Sequence, residues 1–166
     1  MKKLYLIRHA KSSWEDHILS DHDRPLSNRG TRDAPIIGDV LKSKKVKPDI
    51  IITSTARRAF KTAKIFSSIL DYPLENIIKN SIIYEATTQN LLDVISKIDN
   101  SHKTVFLFGH NPAFTVLANL LGDKYINNMP TCAVAELELN VNSWKDVGAD
   151  SGKLIGFEYP KKYVQF

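Results

Sequence analysis

The chain has 166 residues, 43% of them hydrophobic, and its 23 Lys and Arg residues outnumber 18 Asp and Glu residues, which gives a net charge of +5. This length predicts one domain, residues 1–166, whose core needs no disulfide or structural metal. The single cysteine, Cys132, excludes an intramolecular disulfide and a cysteine-based zinc site. No apolar run has the length of a secretory or membrane segment, so we expect a cytoplasmic protein that does not bind membranes. The positive charge suits an anionic ligand, but no charged block or arginine–aromatic pattern predicts nucleic-acid binding.

Apolar strands alternate with helical patterns along the first 121 residues. In chain order, we predict strand 4–7, helix 31–44, strand 49–53, helix 56–70, strand 80–84, helix 88–98, strand 104–108 and helix 113–121. This order predicts an α/β fold with three layers, in which helices cover both faces of a mostly parallel sheet. The tail differs, because "CAVAELELN" alternates with period two and "KLIGFEY" follows a glycine-containing loop. We expect these two segments to form an antiparallel hairpin at one edge of the sheet.

Side chains that can carry chemistry follow each predicted parallel strand. Arg8 and His9 follow the first strand, Ser54 to Arg58 the second, Glu85 the third and His110 the fourth. Ligands of open α/β sheets bind at the carboxyl ends of the strands. Each of these residues has an ordinary structural explanation by itself, but their joint placement predicts an anion-binding site.

The helix after the second strand begins with two arginines that helical phase separates. Arg57 shares a face with Lys61 and Lys64, a pattern typical of a solvated surface. Arg58 lies beside the apolar stripe of this helix. We therefore expect Arg58 to point into the site and Arg57 to point away from it.

Helix starts are expected to complete the site. Ser54 or Thr55 can cap the helix after the second strand, whose N-terminus then offers free N–H groups to an anion. In "GHNP", we expect Asn111 to be the N-cap and Pro112 to be the first helical residue. This arrangement presents His110 at a helix start.

Several of these segments resemble one known family. "LIRHAKSSW" (6–14), "STARRAFKTA" (54–63) and "GHNP" (109–112) occur in order and in the right strand context, and "RPLSNRGTRDA" (24–34) resembles the family's segment before its first long helix. Together they resemble the histidine phosphatase superfamily, with its phosphoglycerate-mutase-like fold, and most closely the small SixA-type phosphohistidine phosphatase branch. Ala10, where many relatives carry glycine, is typical of that branch.

The resemblance implies a role for each matching residue. His9 would be the nucleophile, while Arg8, Arg58 and His110 would bind the phosphoryl group. The chemistry is reasonable, because a neutral imidazole can attack phosphorus when its other nitrogen is held as a donor. Arginines can stabilise the charge on the phosphoryl oxygens, so we expect no metal and no other cofactor.

Two further candidate site residues each have two explanations from the sequence. Ser12 can donate a hydroxyl group to the phosphate, or it can be an ordinary turn residue. Glu85 can protonate the leaving oxygen, or it can be a carboxylate stabilised by a helix start. Sequence alone leaves both pairs of alternatives open.

Other catalytic classes are disfavoured. The polar stretch 15–23 contains four residues that could ligate a metal (His17, Asp21, His22 and Asp23), but it lacks the regular structure that fixes metal geometry. Asp21 also has no buried strand before it, as an aspartyl phosphatase requires, and Cys132 has no arginine six positions later. No glycine-rich phosphate loop with Lys-Ser/Thr occurs, which disfavours an NTPase.

The preferred function is a metal-independent phosphatase that acts on a phosphorylated protein, most simply on phosphohistidine. The alternatives are a small-molecule phosphomonoesterase or mutase of the same fold, and a non-catalytic phosphate-binding module. A mutase is disfavoured because the chain has little spare length for segments that close over a sugar acid phosphate. The substrate is thus a phosphorylated protein or a small phosphate ester, and sequence leaves the oligomeric state open.

Overall fold

The computed structural model describes residues 1–164, which form a six-stranded sheet flanked by four α-helices. The strands are β1 (Lys2–Arg8), β2 (Ile50–Thr53), β3 (Ile78–Lys79), β4 (Thr104–Gly109), β5 (Val134–Leu139) and β6 (Gly152–Glu158). The helices are α1 (Asn28–Ser43), α2 (Arg57–Ile69), α3 (Thr88–Ser96) and α4 (Ala113–Leu121). Short 3-10 turns cover Asp21–Asp23, Leu74–Asn76, Ser81–Ile83, Trp144–Asp146 and Pro160–Lys162.

The sheet has the strand order β3-β2-β4-β1-β5-β6. The first four strands in this order are parallel, while β5 pairs antiparallel with both β1 and β6. The predicted α/β class, the mostly parallel sheet and the antiparallel edge hairpin are confirmed. Because β4 lies between β1 and β2, the segments that follow these three strands meet at one edge of the sheet.

Strand periodicity creates two cores. Leu4 and Leu6 of β1 pack on the side of α3 and α4, whereas Tyr5 and Ile7 pack on the side of α1 and α2. Alternate side chains of a strand point to opposite faces, so a continuous apolar run can supply both layers. The helices therefore cover both faces of the sheet, as the sequence predicts.

The predicted strand 80–84 is wrong. Strand β3 is only Ile78–Lys79, and residues Ser81–Ile83 form a 3-10 turn. The Asn80 side chain accepts a hydrogen bond from Ile82 N at 3.0 Å and caps that turn. The buried Ile83 packs into the core from the turn, so its apolar character reflects burial and not strand pairing.

Helix α1 begins at Asn28, three residues before the predicted start. Ser27 is the N-cap, and its Oγ accepts a hydrogen bond from Gly30 N at 3.1 Å. A Cβ on Gly30 would lie 2.1 Å from the Lys11 carbonyl oxygen, so only glycine permits this approach. The contact fixes the start of α1 against the loop that follows β1.

No helix within residues 1–164 combines the length and apolar character needed to cross a membrane.

Candidate active site

The candidate site is a pocket at the carboxyl ends of β1, β2 and β4. Arg8 ends β1, His9 follows it, Arg58 lies in the first turn of α2, and His110 follows β4. The pocket has a volume of about 350 Å³, and its lining also includes Lys11, Ser12, Trp14, Asp21, Arg24, Asn111 and Thr131. The structure thus brings Arg8, His9, Arg58 and His110 together, as their positions at strand ends predict.

His9 is held in one tautomer by its two neighbours. Its Nδ1 lies 2.7 Å from the Ala10 carbonyl oxygen, which can only accept, so Nδ1 carries the proton. Arg58 Nε donates to His9 Nε2 at 3.4 Å, which leaves Nε2 as the acceptor. The ring is 7% exposed. It can therefore act as a neutral nucleophile through the Nε2 lone pair.

Burial and positive neighbours keep both histidines neutral. Burial lowers the pKa of His9 to about 3, with further lowering by His110, Arg58 and Arg8 against an opposing effect of the Ala10 carbonyl. Burial also lowers the pKa of His110 to about 4, with Arg58 as the next cause. The two ring centroids are 5.2 Å apart. Neither ring is expected to carry charge at neutral pH.

Arg58 lies inside the pocket and Arg57 lies outside it. Arg58 is buried, and its guanidinium donates to the Asp21 carbonyl oxygen at 2.6 Å and to Asp21 Oδ2 at 3.0 Å. Arg57 is exposed and donates to the Asp23 carbonyl oxygen at 3.3 Å. The orientations predicted from helical phase are confirmed.

Thr62 ties α2 to the loop that follows β1. Its hydroxyl donates to the Arg58 carbonyl oxygen at 2.8 Å and accepts from Ala10 N at 3.1 Å. This buried bridge sets the position of His9 relative to Arg58.

Asp21 is a pocket residue that sequence reasoning assigned no role. Its Oδ2 accepts from Tyr84 Oη at 2.7 Å as well as from Arg58, and its Oδ1 accepts from Arg24 Nη1 at 2.8 Å. The Tyr84 hydroxyl, followed by Arg24 and Arg58, holds the pKa of this carboxyl well below its usual range. Asp21 is therefore a charged acceptor that orients two guanidinium groups.

Arg24 is the second residue that sequence reasoning missed, and it accounts for Ser12. The buried Arg24 guanidinium donates to Ser12 Oγ, and its Nε donates to the Ser13 carbonyl oxygen at 3.0 Å. Its Cζ also lies 3.2 Å from the ring centroid of Trp14, an exposed residue. Ser12 lines the pocket, and its hydroxyl oxygen serves Arg24.

Arg8 and His110, two further predicted residues, each have one hydrogen-bond partner outside the pocket's reacting groups. Arg8 Nη1 donates to the Met129 carbonyl oxygen at 2.9 Å, and His110 Nε2 lies 2.8 Å from Ser54 Oγ. Within residues 1–164, four buried side-chain polar atoms lack a hydrogen-bond partner, and Arg8 Nε and His110 Nδ1 are two of them. Unpaired buried polar atoms are rare in folded proteins and point to functional sites.

The predicted helix caps are wrong in detail. Ala56 is the N-cap residue of α2, and Ser54 Oγ accepts from its N–H at 3.2 Å. Pro112 is the N-cap residue of α4, after a cis peptide bond, while Asn111 Oδ1 accepts from Thr115 Oγ1 at 2.9 Å. The α4 cap lies one residue after the predicted Asn111, and the α2 cap lies one residue after Thr55 and two after Ser54. Asn111 Oδ1 also accepts from Thr115 N at 3.3 Å, so this side chain still satisfies an N–H of the first helical turn.

Glu85 lies apart from the groups above. It is exposed, its φ is 55°, and it does not line the pocket. Its neighbour Tyr84 reaches the site instead, with its ring 5.6 Å from that of His110. The role of Glu85 as proton donor stays a prediction.

The polar stretch 15–23, a candidate metal site by composition, is divided between the pocket and its surroundings. Asp21 binds Arg24 and Arg58, the His22 ring lies 2.9 Å from Thr55 Oγ1, and His17 is exposed. Among the described residues, no group of three or more His, Cys, Asp and Glu side chains could hold a metal ion.

The pocket carries a positive charge. Its lining contains four cationic side chains (Arg8, Lys11, Arg24 and Arg58) against one carboxylate, that of Asp21. Arginines that converge in this way can bind the oxygens of a phosphoryl group. The arrangement can hold a tetrahedral dianion beside a neutral imidazole.

Known proteins are similar to this chain in sequence and in fold. The family model for the histidine phosphatase superfamily (branch 1) matches residues 4–80. An uncharacterized chloroplastic protein of Arabidopsis thaliana is 35% identical over an alignment of 175 positions, which covers 98% of this chain and 80% of that protein. An uncharacterized protein of Mycobacterium tuberculosis strain H37Rv is 30% identical over 165 residues, which cover 93% of this chain and 100% of that protein.

One solved structure extends the similarity to the branch. The crystal structure of a candidate phosphohistidine phosphatase SixA from Agrobacterium tumefaciens matches with a TM-score of 0.81 and 27% identity, and covers 96% of this chain and 98% of that chain. The sequence and fold comparisons agree, and the chain belongs to the histidine phosphatase superfamily, in its SixA-type branch.

Proposed function

We propose that this protein is a metal-independent phosphatase that works through a phosphohistidine intermediate on His9 and removes phosphate from phosphohistidine in proteins. The observation that carries the proposal is the state of the His9 ring. Nδ1 donates to the Ala10 carbonyl oxygen at 2.7 Å, while Nε2 faces Arg58 at 3.4 Å in a cationic pocket. A neutral imidazole with a fixed lone pair beside a phosphate-binding arginine is what nucleophilic attack on phosphorus needs.

The reaction proceeds in two displacements. His9 Nε2 attacks phosphorus and forms a P–N bond, the substrate's P–N bond breaks, and the departing imidazole takes a proton from solvent. A water molecule then attacks phosphorus and forms a P–O bond, while the bond between phosphorus and His9 Nε2 breaks. One proton of the water passes to solvent, and phosphate and neutral His9 are released. Arg8, Arg58 and His110 bind the phosphoryl oxygens and stabilise their charge in both transition states.

Asp21 acts as a positioning residue. Its carboxylate and its carbonyl oxygen each accept a hydrogen bond from Arg58, so the guanidinium has one orientation before substrate binds. Preorganised donors are more effective in the transition state than groups that must reorient. Because the pKa of Asp21 lies well below its usual range, this carboxylate accepts hydrogen bonds and does not serve as the proton donor.

Two features favour a phosphoprotein over a small ester. Trp14, on the rim of the pocket, is 65% exposed, which leaves the pocket accessible to a side chain on another protein. Among residues 1–164, Asp21 is the one carboxylate that lines the pocket, and it is charged, whereas alkoxide leaving groups need a general acid. The imidazole of phosphohistidine leaves readily once solvent protonates it, so this substrate fits a pocket without a dedicated acid.

The mechanism is tested by trapping the intermediate. Rapid quench with labelled p-nitrophenyl phosphate in EDTA is expected to yield an acid-labile, base-stable phosphoenzyme, and His9→Ala is expected to yield none and to lose turnover. Circular dichroism of His9→Ala checks that the variant is folded. Retained activity in His9→Ala would overturn the mechanism, and binding of phosphate without turnover in the wild type would favour the non-catalytic module.

The substrate class is tested separately. A phosphohistidine protein and a panel of alkyl phosphates are compared by kcat/KM, and we expect the phosphohistidine protein to be the better substrate by at least tenfold. Efficient hydrolysis of an alkyl phosphate in preference to phosphohistidine would make the protein a small-molecule phosphomonoesterase instead. Transfer of phosphate between two positions of a sugar acid would make it a mutase.

A further inference from the structure

A second concave surface lies beside the pocket, and the reaction described above does not use it. It is a groove of about 320 Å³ lined by Pro25, Leu26, Arg57, Phe60, Lys61 and Lys64. Lys79, at the carboxyl end of β3, also reaches it, because its Nζ lies 4.5 Å from the Phe60 ring centroid. We refer to these seven residues as the basic groove.

The basic groove carries four positive charges that no carboxylate neutralises. Within residues 1–164, no carboxylate lies within 4.0 Å of the basic groups of Arg57, Lys61, Lys64 or Lys79. Lys64 and Lys79 instead both rest on Phe60, at 4.7 Å and 4.5 Å from its centroid. Like charges that share one ring repel each other, and cation–π attraction offsets this only in part. The groove is therefore suited to an anionic ligand.

The groove is physically connected to the pocket. Arg57 and Arg58 are consecutive and bond to the same 3-10 turn, Arg57 to the Asp23 carbonyl oxygen and Arg58 to that of Asp21. From this junction the groove follows α2 to Lys64, a distance of about 10 Å at 1.5 Å per helical residue. An extended chain covers that distance with about three residues. A polypeptide whose phosphorylated side chain enters the pocket can thus lay its neighbouring residues in the groove.

The chemistry of the groove favours an acidic polypeptide over other polyanions. Bases of single-stranded nucleic acids stack on open aromatic faces, but Lys64 and Lys79 cover the Phe60 ring. A bilayer surface favours projecting apolar side chains, whereas Pro25, Leu26 and Phe60 are only partly exposed and line a concavity. Aspartate and glutamate side chains can reach the ammonium groups while their backbone contacts Pro25 and Leu26.

We propose that the basic groove is a docking site for an acidic segment that adjoins the phosphorylated residue of a protein substrate. The proposal rests on the proposed function for the position of the phosphorylated residue. The groove selects the substrate through residues outside the reacting group, because attraction between complementary surfaces raises the rate of productive encounter.

The first test measures binding without catalysis. A fluorescein-labelled, unphosphorylated peptide rich in Asp and Glu is titrated with wild type, with Lys61→Glu/Lys64→Glu and with the control Lys45→Glu/Lys47→Glu. The control makes the same charge change at two exposed lysines that precede the amino end of β2, whereas the groove adjoins the carboxyl ends of the strands. We expect the groove variant to weaken binding at least tenfold and the control to weaken it less than threefold. Equal losses in both variants would overturn the proposal, as would tighter binding of a single-stranded oligonucleotide or of anionic phosphatidylserine vesicles.

The second test measures selectivity. Two phosphohistidine peptides with acidic or neutral flanks are compared by kcat/KM, and the wild type is expected to prefer the acidic peptide at least tenfold in low salt. The preference is expected to shrink with added salt and to disappear in Lys61→Gln/Lys64→Gln. A wild type that hydrolyses both peptides equally well would refute the groove and leave the proposed function intact. A wild type that hydrolyses neither peptide but binds the acidic probe through Lys61 and Lys64 would refute the substrate assignment and leave the groove intact.

Discussion

Acidification from pH 7.5 to pH 5 is expected to leave His9 neutral and the enzyme active. An imidazole with the ordinary pKa of about 6.5 is only about 3% neutral at pH 5, which would lower a rate that depends on it about thirtyfold. Burial beside His110, Arg58 and Arg8 lowers the pKa of His9 to about 3. With that pKa, about 99% of the ring remains neutral at pH 5 by the same relation.

The assay is kcat/KM for p-nitrophenyl phosphate across this range, because kcat/KM reports the ionisation of the free enzyme. After correction for the ionisation of the substrate itself, we expect a change of less than threefold. Two-dimensional ¹H–¹⁵N spectra of the imidazoles give an independent measurement, in which His9 is expected to show the neutral Nδ1–H form throughout. A tenfold or greater loss of kcat/KM, together with titration of the His9 ring between pH 6 and 7, would refute the reasoning.

The same pKa values make stability depend on pH. Below about pH 6.5 the unfolded chain protonates both histidines while the folded protein does not, so the free energy of unfolding falls as the pH falls. Between pH 6.5 and pH 5 the loss is about 1.5 kcal/mol for each of His9 and His110. Urea unfolding at the two pH values measures it, and His110→Asn is expected to remove about half of the difference. An unchanged pH dependence in that variant would contradict the assignment.

Four substitutions test the rest of the site. Arg58→Ala is expected to cost about 3 kcal/mol, or about a hundredfold in kcat/KM for p-nitrophenyl phosphate, because it removes a phosphoryl-binding group. Arg57→Ala is expected to change kcat/KM less than threefold. Equal losses would contradict the orientations of the two arginines on α2. Asp21→Asn is expected to lower kcat about tenfold, because Arg58 is no longer oriented. It is also expected to tighten inhibition by inorganic phosphate, because a negative charge is removed from the pocket. Weaker phosphate inhibition would contradict a positioning role. Glu85→Gln is expected to change the hydrolysis rates of alkyl phosphate, p-nitrophenyl phosphate and phosphohistidine less than threefold each, since the side chain is exposed. A loss of rate on the alkyl phosphate alone would show that Glu85 is the proton donor.

Local patterns in the sequence were sufficient for the layered fold. Alternation of apolar strands with helical segments predicts the parallel sheet, and period-two alternation predicts the hairpin of β5 and β6. Helical phase also separates Arg57 from Arg58. These features follow from backbone geometry, which repeats every two residues in a strand and every 3.6 residues in a helix. The same patterns do not predict residues 80–84 correctly, because Ile82 and Ile83 have the apolar character of strand residues. Ile83 lies instead in a 3-10 turn, from which its side chain packs into the core.

Strand and helix patterns in the sequence are enough to place Arg8, His9 and His110 at strand ends and Arg58 in the first turn of the helix after β2. The residues that accompany them are visible only in the folded chain. Asp21 and Arg24 lie in a stretch without periodicity, and they bond to Arg58, Tyr84 and Ser12, which are distant in the sequence. The same holds for the basic groove, where a stripe on α2 resembles ordinary solvated surface in the sequence. In the fold, Lys64 of this stripe and Lys79 of β3 meet over the Phe60 ring. Periodicity encodes the face of an element, whereas contacts between irregular segments depend on how the elements pack, and only the folded chain specifies that packing.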